Sequence, residues 1–406
     1  MRRTTTAPPL ARPASAPAAA RAAFRLLDRL QVGTLDLQLP DGSQLHFGQA
    51  RSGAPRGAMR LDNWKVFGAA LKSGDIGFAE SWIDGDWHTP DLVALLKLFA
   101  LNREAIESAV YGRWWGRLAY RLKHLLHANT RSGSRRNIHA HYDLGNSFYR
   151  LWLDETMSYS AASFDGDLGG DLVQAQQAKL RRVLDQCHIA PGQRLLEIGC
   201  GWGGLAEMAL ADRGAKVTGV TLSTEQLDWA RQRLQAFGPS ADLRLQDYRD
   251  IADGPYDAIA SIEMFEAVGH AYWPGFFSRV HQLLKSGGRA CIQSITIRDD
   301  LFERYLHGTD FIQQYIFPGG LLPSRVAFRA QAAAAGLQVV DEFAFGSDYA
   351  ETLRRWRTRF LAEEKAVRRL GFDARFLRIW EFYLAYCEAA FDTGNTDVVQ
   401  FTLQRG

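Results

Sequence analysis

The sequence predicts an α/β fold in which a parallel sheet is wound by helices. Two observations carry this. Short apolar strand-like runs alternate with helical stretches from residue 141 onward, and one of these runs feeds directly into a glycine loop that opens a helix. Alternation of this kind favours parallel strands joined by crossover helices. The strand candidates are Arg194–Cys200, Lys216–Leu222, Asp242–Tyr248, Tyr256–Glu263 and Arg289–Ile297, with helices such as Gly204–Asp212 and Thr224–Phe237 between them. Two later strands, Leu337–Phe343 and Val398–Leu403, flank a long helical stretch from Tyr349 to about Ala390.

Ahead of this α/β domain, expected over 141–406, three segments separate by composition. Residues 1–22 are rich in Ala and Pro and lack the apolar core of a secretory signal, which predicts a disordered tail. Residues 23–100 mix strand-like runs (Leu35–Leu39, Leu45–Phe47) with a helical one (Asp91–Leu101), predicting a small α+β domain. Residues 101–140 read as a basic helical linker. No acidic residue occurs from Tyr111 to Tyr142, and Arg113, Arg117 and Arg121 recur every four residues beside Trp and Leu at helical spacing. Such a helix can lie on an anionic membrane surface or pack its apolar stripe on protein.

Composition narrows the function. Of 406 residues, 47% are hydrophobic and 23% charged, which excludes a wholly disordered chain. A net charge of +3 excludes the whole protein as an electrostatic nucleic-acid binder. Cys187, Cys200, Cys291 and Cys387 are too widely spaced for a CxxC metal pattern or a disulfide framework, and read as reduced thiols. No run reaches the ~18 apolar residues of a membrane span. The expected location is cytoplasmic, with peripheral association at the inner face of the membrane.

The loop after the first strand of this domain points to a cofactor. Gly199, Gly201 and Gly204 fit G-x-G-x-x-G between a strand and a helix, where glycine permits a tight turn and close ligand approach. Nicotinamide, flavin and S-adenosylmethionine enzymes all use versions of it. A nicotinamide site wants an acid at the end of the next strand. Here that strand ends Val220-Thr221-Leu222-Ser223, without one. Instead Glu197 precedes the glycines, where a carboxylate can face the ammonium of a methionine moiety, and Gln246-Asp247 closes the third strand, where an adenine amino group can find an acceptor. The pattern favours S-adenosylmethionine.

Several motifs then occur in order: HYDLGNSFYRLWLDETMSYS (His141–Ser160), EIGCGWGG (Glu197–Gly204), VTLSTEQ (Val220–Gln226), LQDYRD (Leu245–Asp250), EMFEAVG (Glu263–Gly269), YIFPGGLLPS (Tyr315–Ser324) and FGSDYAETL (Phe345–Leu353). Together they resemble the cyclopropane-fatty-acid synthase and mycolic-acid methyltransferase family. The resemblance implies a class I methyltransferase, Rossmann-like, with seven strands and helices on both faces. It implies methyl transfer from S-adenosylmethionine to the double bond of an unsaturated fatty acyl chain in a phospholipid, giving a cyclopropane. By motif match, Tyr159 and Ser160 would touch the methionine end, and Gly199 and Gly201 would give close backbone approach. Thr221 and Gln226 would hold the ribose, Leu222 would also bind the cofactor, and Gln246 would lie near the adenine. The resemblance also makes a homodimer an expectation, and turns the basic helix into a candidate membrane-docking unit.

An alkene has no proton to remove before it attacks, so the enzyme aligns it with the methyl group and stabilises the resulting cation. Tyr142, Phe265, Tyr305, Tyr315 and Phe317 are candidates to line the acyl pocket. In cyclopropane-forming members a bound bicarbonate accepts the proton, held by a Cys, a Glu, a His, a Tyr and an Ile backbone. The resemblance carries over Glu266, Tyr349 and Ile295, but the Cys position is Ala161 and the His position is Gln293. Gln cannot carry positive charge. Bicarbonate would bind more weakly, or Glu266 would act more directly. The alternative product is therefore a methyl-branched or methylene chain, including methylation of a conjugated diene on the route to furan fatty acids. Two rivals remain: a small-amine N-methyltransferase and a non-catalytic lipid-binding protein.

Overall fold

The computed structural model describes residues 15–110 and 144–406. The start of the tail, the run carrying Arg113, Arg117 and Arg121, and Tyr142 lie outside the described residues.

The chain divides into two units. Among the described residues the first takes in 15–110 and is completed by Ala374–Ala389. Strands β1 (Gly33–Gln38), β2 (Gln44–Gln49), β3 (Arg56–Leu61) and β4 (Trp87–His88) form a sheet in the order β2-β1-β3-β4. Residues alternate across a strand, so β2 buries Leu45 and Phe47 and exposes their neighbours Gln44 and His46. The helix Ala18–Leu27 lays Phe24 6.0 Å from Phe47 and 5.5 Å from Phe67, ring to ring. Residues 18–22, expected in the tail, are therefore the first turns of this helix. The helix Leu92–Leu101 starts where expected because the Asp91 carboxylate accepts from Ala94 N at 2.9 Å. Arg378, expected within the C-terminal domain, lies 4.3 Å over the Trp82 ring and donates to Trp82 O at 2.6 Å, so its segment packs with the first unit.

The second unit is built on a seven-stranded sheet. Its strands are β5 (Arg194–Ile198), β6 (Lys216–Thr221), β7 (Ala241–Leu245), β8 (Tyr256–Ile262), β9 (Leu284–Ile297), β10 (Leu337–Ala344) and β11 (Thr396–Arg405), in the order β10-β11-β9-β8-β5-β6-β7. The five strands from β9 to β7 are parallel, and β11 runs antiparallel between β9 and β10. Both faces are covered. Leu196, Ile198, Ile259 and Ile292 join a core with the helices Trp273–Leu283 and Arg325–Ala334. Leu195, Ala258, Ala260 and Cys291 join a second core with Leu172–Cys187 and Gly204–Arg213. Adjacent residues of one strand thus serve opposite faces, and the central strands read as continuous apolar runs. The single helical stretch expected from Tyr349 to Ala390 is three helices, Gly346–Ala362, Glu364–Arg369 and Ala374–Asp392; Gly371, at φ +96°, lies just beyond the second. Strand order reverses at β5, where β6 flanks one side and β8 the other, and a crevice at such a point is where open α/β sheets bind ligands.

Candidate active site

The cofactor half gathers at the ends of β5, β6 and β7. Gly199, Gly201 and Gly203 have φ of +84°, +50° and +84°, a region side chains other than glycine avoid. A Cβ on Gly199 would lie 3.0 Å from the Met264 side chain, whereas one on Gly201 would face open space. Gly204, third in the motif spacing, is already the first helical residue; Gly203 holds the third left-handed position. Glu197 is buried, its Oε2 makes no hydrogen bond, and burial pushes its carboxyl up to about 8. A buried carboxylate oxygen without a donor, beside a backbone with room against it, fits a ligand carrying an ammonium group. Thr221 Oγ1 donates to Gln226 Oε1 at 3.0 Å, and Leu222 follows half-buried. Gln246 N donates to Thr221 O at 3.1 Å, and its side chain donates to Asp250 O at 2.9 Å. Asp247 is buried and already paired with Arg249, at 2.8 and 2.5 Å. Tyr159 packs among Tyr149, Trp152 and Trp356. Ser160 Oγ accepts from Lys179 Nζ at 2.5 Å.

The second half is a pair of carboxylates at the end of β8. Glu263 follows the last residue of the strand with φ +51°, left-handed backbone that costs a side-chain-bearing residue about 1–2 kcal/mol. Its Oε1 accepts from Ala161 N at 2.8 Å and from Gln293 Nε2 at 2.7 Å, and its Oε2 accepts from Tyr349 OH at 2.6 Å. Glu266, one turn on, accepts through Oε1 from Ile295 N, while its Oε2 is buried without a hydrogen bond. Burial, then the neighbouring Glu263 charge, pushes Glu266 up to about 8. Burial also raises Glu263, opposed first by the Tyr349 hydroxyl. Two close carboxylates share charge poorly. Three donors converge on Glu263 and one on Glu266, so negative charge is better held at Glu263, while burial keeps Glu266 largely protonated at neutral pH.

The local chain explains the convergence. Helix Gly346–Ala362 carries Tyr349, and the same helix pins the neighbouring loop: the Asp348 carboxylate accepts from Phe164 N at 2.6 Å and Thr352 Oγ1 from Ala162 N at 3.2 Å. Gln293 and Ile295 stand two apart on β9 and so share a face. Lys179 is fully buried on the helix Leu172–Cys187, its ammonium lowered to about 8 by burial against the pull of Glu263, Asp154 and Glu197.

Glu266, Tyr349, Gln293, Ile295 and Ala161 are thus brought together as their motifs suggested. They are bonded to the chain's own carboxylates, however, and do not fit bicarbonate as well: the Tyr349, Gln293 and Ala161 donors go to Glu263 and the Ile295 amide to Glu266. Glu263 and Lys179 were missed by sequence reasoning. Glu263 is the first residue of the EMFEAVG motif. Lys179 was legible as a charge among Ala175, Leu180, Val183 and Leu184, the inward stripe of its helix. Among the pocket candidates Phe265 needs correcting. Its ring is fully buried and lies 5.1–5.3 Å from Trp273, Phe276, Phe277 and Phe328, so it belongs to the core. Tyr305 and Phe317 are half-buried in the segment between β9 and β10, as is Tyr315, which stacks on Phe311.

A glycine loop at the switch point of this sheet, with an orphaned acid ahead of it, defines a class I S-adenosylmethionine-dependent methyltransferase. The chain belongs to the family described as mycolic acid cyclopropane synthetase, which matches residues 129–401. It is 42% identical over 344 residues to the tuberculostearic acid methyltransferase UfaA1 of Mycobacterium tuberculosis, covering 82% of this chain and 80% of that protein. It is 33% identical to the cyclopropane-fatty-acyl-phospholipid synthase of Escherichia coli strain K12, covering 88% and 91%. The crystal structure of mycolic acid cyclopropane synthase CmaA1 complexed with SAH and CTAB superposes with a TM-score of 0.63 at 34% identity, covering 67% of this chain and 98% of that one. The enzyme uses S-adenosylmethionine to methylate lipid acyl chains.

Proposed function

We propose that the substrate is an unsaturated acyl chain within a phospholipid and that the product is a methyl-branched or methylene-bearing chain in place of a cyclopropane. One observation carries the choice of product. The ring expectation rested on bicarbonate, and the groups assigned to that anion are bonded to Glu263 and Glu266. The relative named for tuberculostearic acid methylation supports the same reading.

S-adenosylmethionine supplies an electrophilic methyl group on a sulfonium. Glu197 would face its ammonium, and Gly199 and Gly201 would let it approach the backbone. The double bond attacks the methyl carbon, leaving the adjacent chain carbon cationic. Loss of a chain proton then gives a methyl-branched alkene. Loss of a methyl proton after a 1,2-hydride shift gives a methylene group. The phospholipid is met at an anionic membrane surface by the acid-free run 111–142, whose Arg113, Arg117 and Arg121 would be screened by salt. Among the described residues no helix is long and apolar enough to cross a membrane.

The test is expression in a host lacking such an enzyme, followed by lipid analysis. Methylene and branched-alkene products take up two deuterium atoms across their double bond on mild catalytic reduction with deuterium gas, whereas a ring does not. Rings as the sole product would overturn this reading of the product.

A further inference from the structure

Given this methyl-transfer reading, we infer that Glu263 is the proton acceptor of the reaction, a carboxylate built into the chain that makes added bicarbonate unnecessary. Three donors reach it from separate parts of the sequence: the Ala161 amide, the Gln293 side chain on β9 and the Tyr349 hydroxyl on the helix Gly346–Ala362. Its left-handed backbone is a strain that the surrounding structure must hold in place, and such strain concentrates at functional sites.

The residue types agree. A histidine at position 293 could become cationic, pair with Glu263 and lower its basicity. The neutral amide of Gln293 orients the carboxylate without doing so. Its direction is fixed from behind. Arg182, which has only donors, gives Nη1–H to Gln400 Oε1 at 2.8 Å; Gln400 Nε2 donates to Gln293 Oε1 at 3.0 Å; and Gln293 Nε2 is left for Glu263. Ala161 contributes only its backbone N–H, which needs no particular side chain. Burial raises the basicity of Glu263 against the pull of the Tyr349 hydroxyl and the Lys179 ammonium, and Glu266, kept protonated by burial, leaves the charge to Glu263.

The step balances. The C–S bond breaks with its electron pair going to sulfur, and the π pair forms the new C–C bond. The adjacent C–H pair becomes the new double bond, and the proton forms an O–H bond on Glu263. That proton returns to solvent before the next turnover, and no oxidant or reductant is needed.

The experiment uses the full-length enzyme with labelled S-adenosylmethionine and unsaturated phospholipid vesicles, in buffer stripped of carbon dioxide. Wild-type turnover should be unchanged by stripping or by added bicarbonate. Glu263→Gln, nearly isosteric, should lose turnover by on the order of a hundredfold or more, the usual scale for a general base. Its affinity for S-adenosylhomocysteine should stay within about threefold, since that loss belongs to the proton-transfer step. Glu263→Gly, which relieves the left-handed backbone and opens the donor set, should be inactive when stripped and partly restored by bicarbonate or formate. A structural role alone would give no such rescue. A wild-type enzyme that requires bicarbonate, or a Glu263→Gln enzyme within a few-fold of wild-type turnover, would overturn the inference while leaving methyl transfer intact. Absence of transfer by the wild type to any unsaturated lipid would instead reject the function it rests on.

Discussion

The Gln293 amide donates to the Glu263 carboxylate at 2.7 Å and is held from turning round. Its oxygen is occupied by Gln400, whose own oxygen is occupied by Arg182. An amide flip would aim an oxygen at a carboxylate and leave Gln400 donating to a donor. Gln293 and Gln400 have no solvent exposure, so water cannot relieve either mismatch.

Removing the lock should therefore cost rate more than binding. Gln400→Leu is expected to lower kcat by on the order of tenfold, one ordinary hydrogen bond, with cofactor affinity unchanged. Gln293→His should add an acid limb to the pH–rate profile. An imidazolium, with its ordinary pKa of about 6.5, would pair with Glu263 at low pH and release it as pH rises. Steady-state rates from pH 5.5 to 8.5 decide the matter, and a variant profile parallel to wild type counts against it.

Glu197 sets a second expectation. Its carboxyl is held up at about 8 by burial, against Arg233 and Lys179, so it is largely protonated at pH 7 before a ligand's ammonium meets it. An ammonium group favours the ionised form, so binding should expel a proton. Calorimetry of S-adenosylhomocysteine binding at pH 7, in buffers of different ionisation enthalpy, should show that release. Affinity should rise from pH 6 and level off above about 8, where Glu197 is ionised without the ligand. Glu197→Gln should weaken binding about 10- to 100-fold, the scale of a hydrogen bond to a charge, and abolish the Glu197 share of the release.

Glu266 makes a stability prediction of definite sign. Its folded pKa, about 8, lies above its ordinary 4.5, so the folded state keeps a proton that the unfolded state has shed. Stability from this group is present below pH 4.5 and is lost as pH rises toward 8. Glu266→Gln, which cannot ionise, should lose less stability than wild type between pH 5.5 and 8.5. Urea midpoints at the two pH values measure this. An equal fall in both proteins would place the proton elsewhere.

Much of the fold was legible because it is written in local chemistry. The parallel strands of the second unit were found within a few residues, since buried parallel strands read as apolar runs bounded by turn residues. Boundaries failed where a distant partner decided them. The helix Ala18–Leu27 hides in an alanine-rich stretch and is fixed by Phe24 against Phe47 and Phe67. The glycine motif was recognised, but the residue needing left-handed backbone was Gly203, because the helix begins at Gly204.

The sequence by itself determined the class of chemistry: a glycine turn preceded by an acid, and motifs whose order marks a lipid methyltransferase. It also disclosed that a Cys and a His expected near the reacting carbon are replaced by Ala161 and Gln293. Only the tertiary structure decided what those replacements serve. Glu263, Ala161, Gln293 and Tyr349 lie as much as 188 residues apart in the chain, and the hydrogen bonds uniting them depend on how β8, β9 and a helix meet. Periodicity reports which side of a strand faces inward, but a carboxylate's charge and basicity are set by the donors and the dielectric that folding places around it.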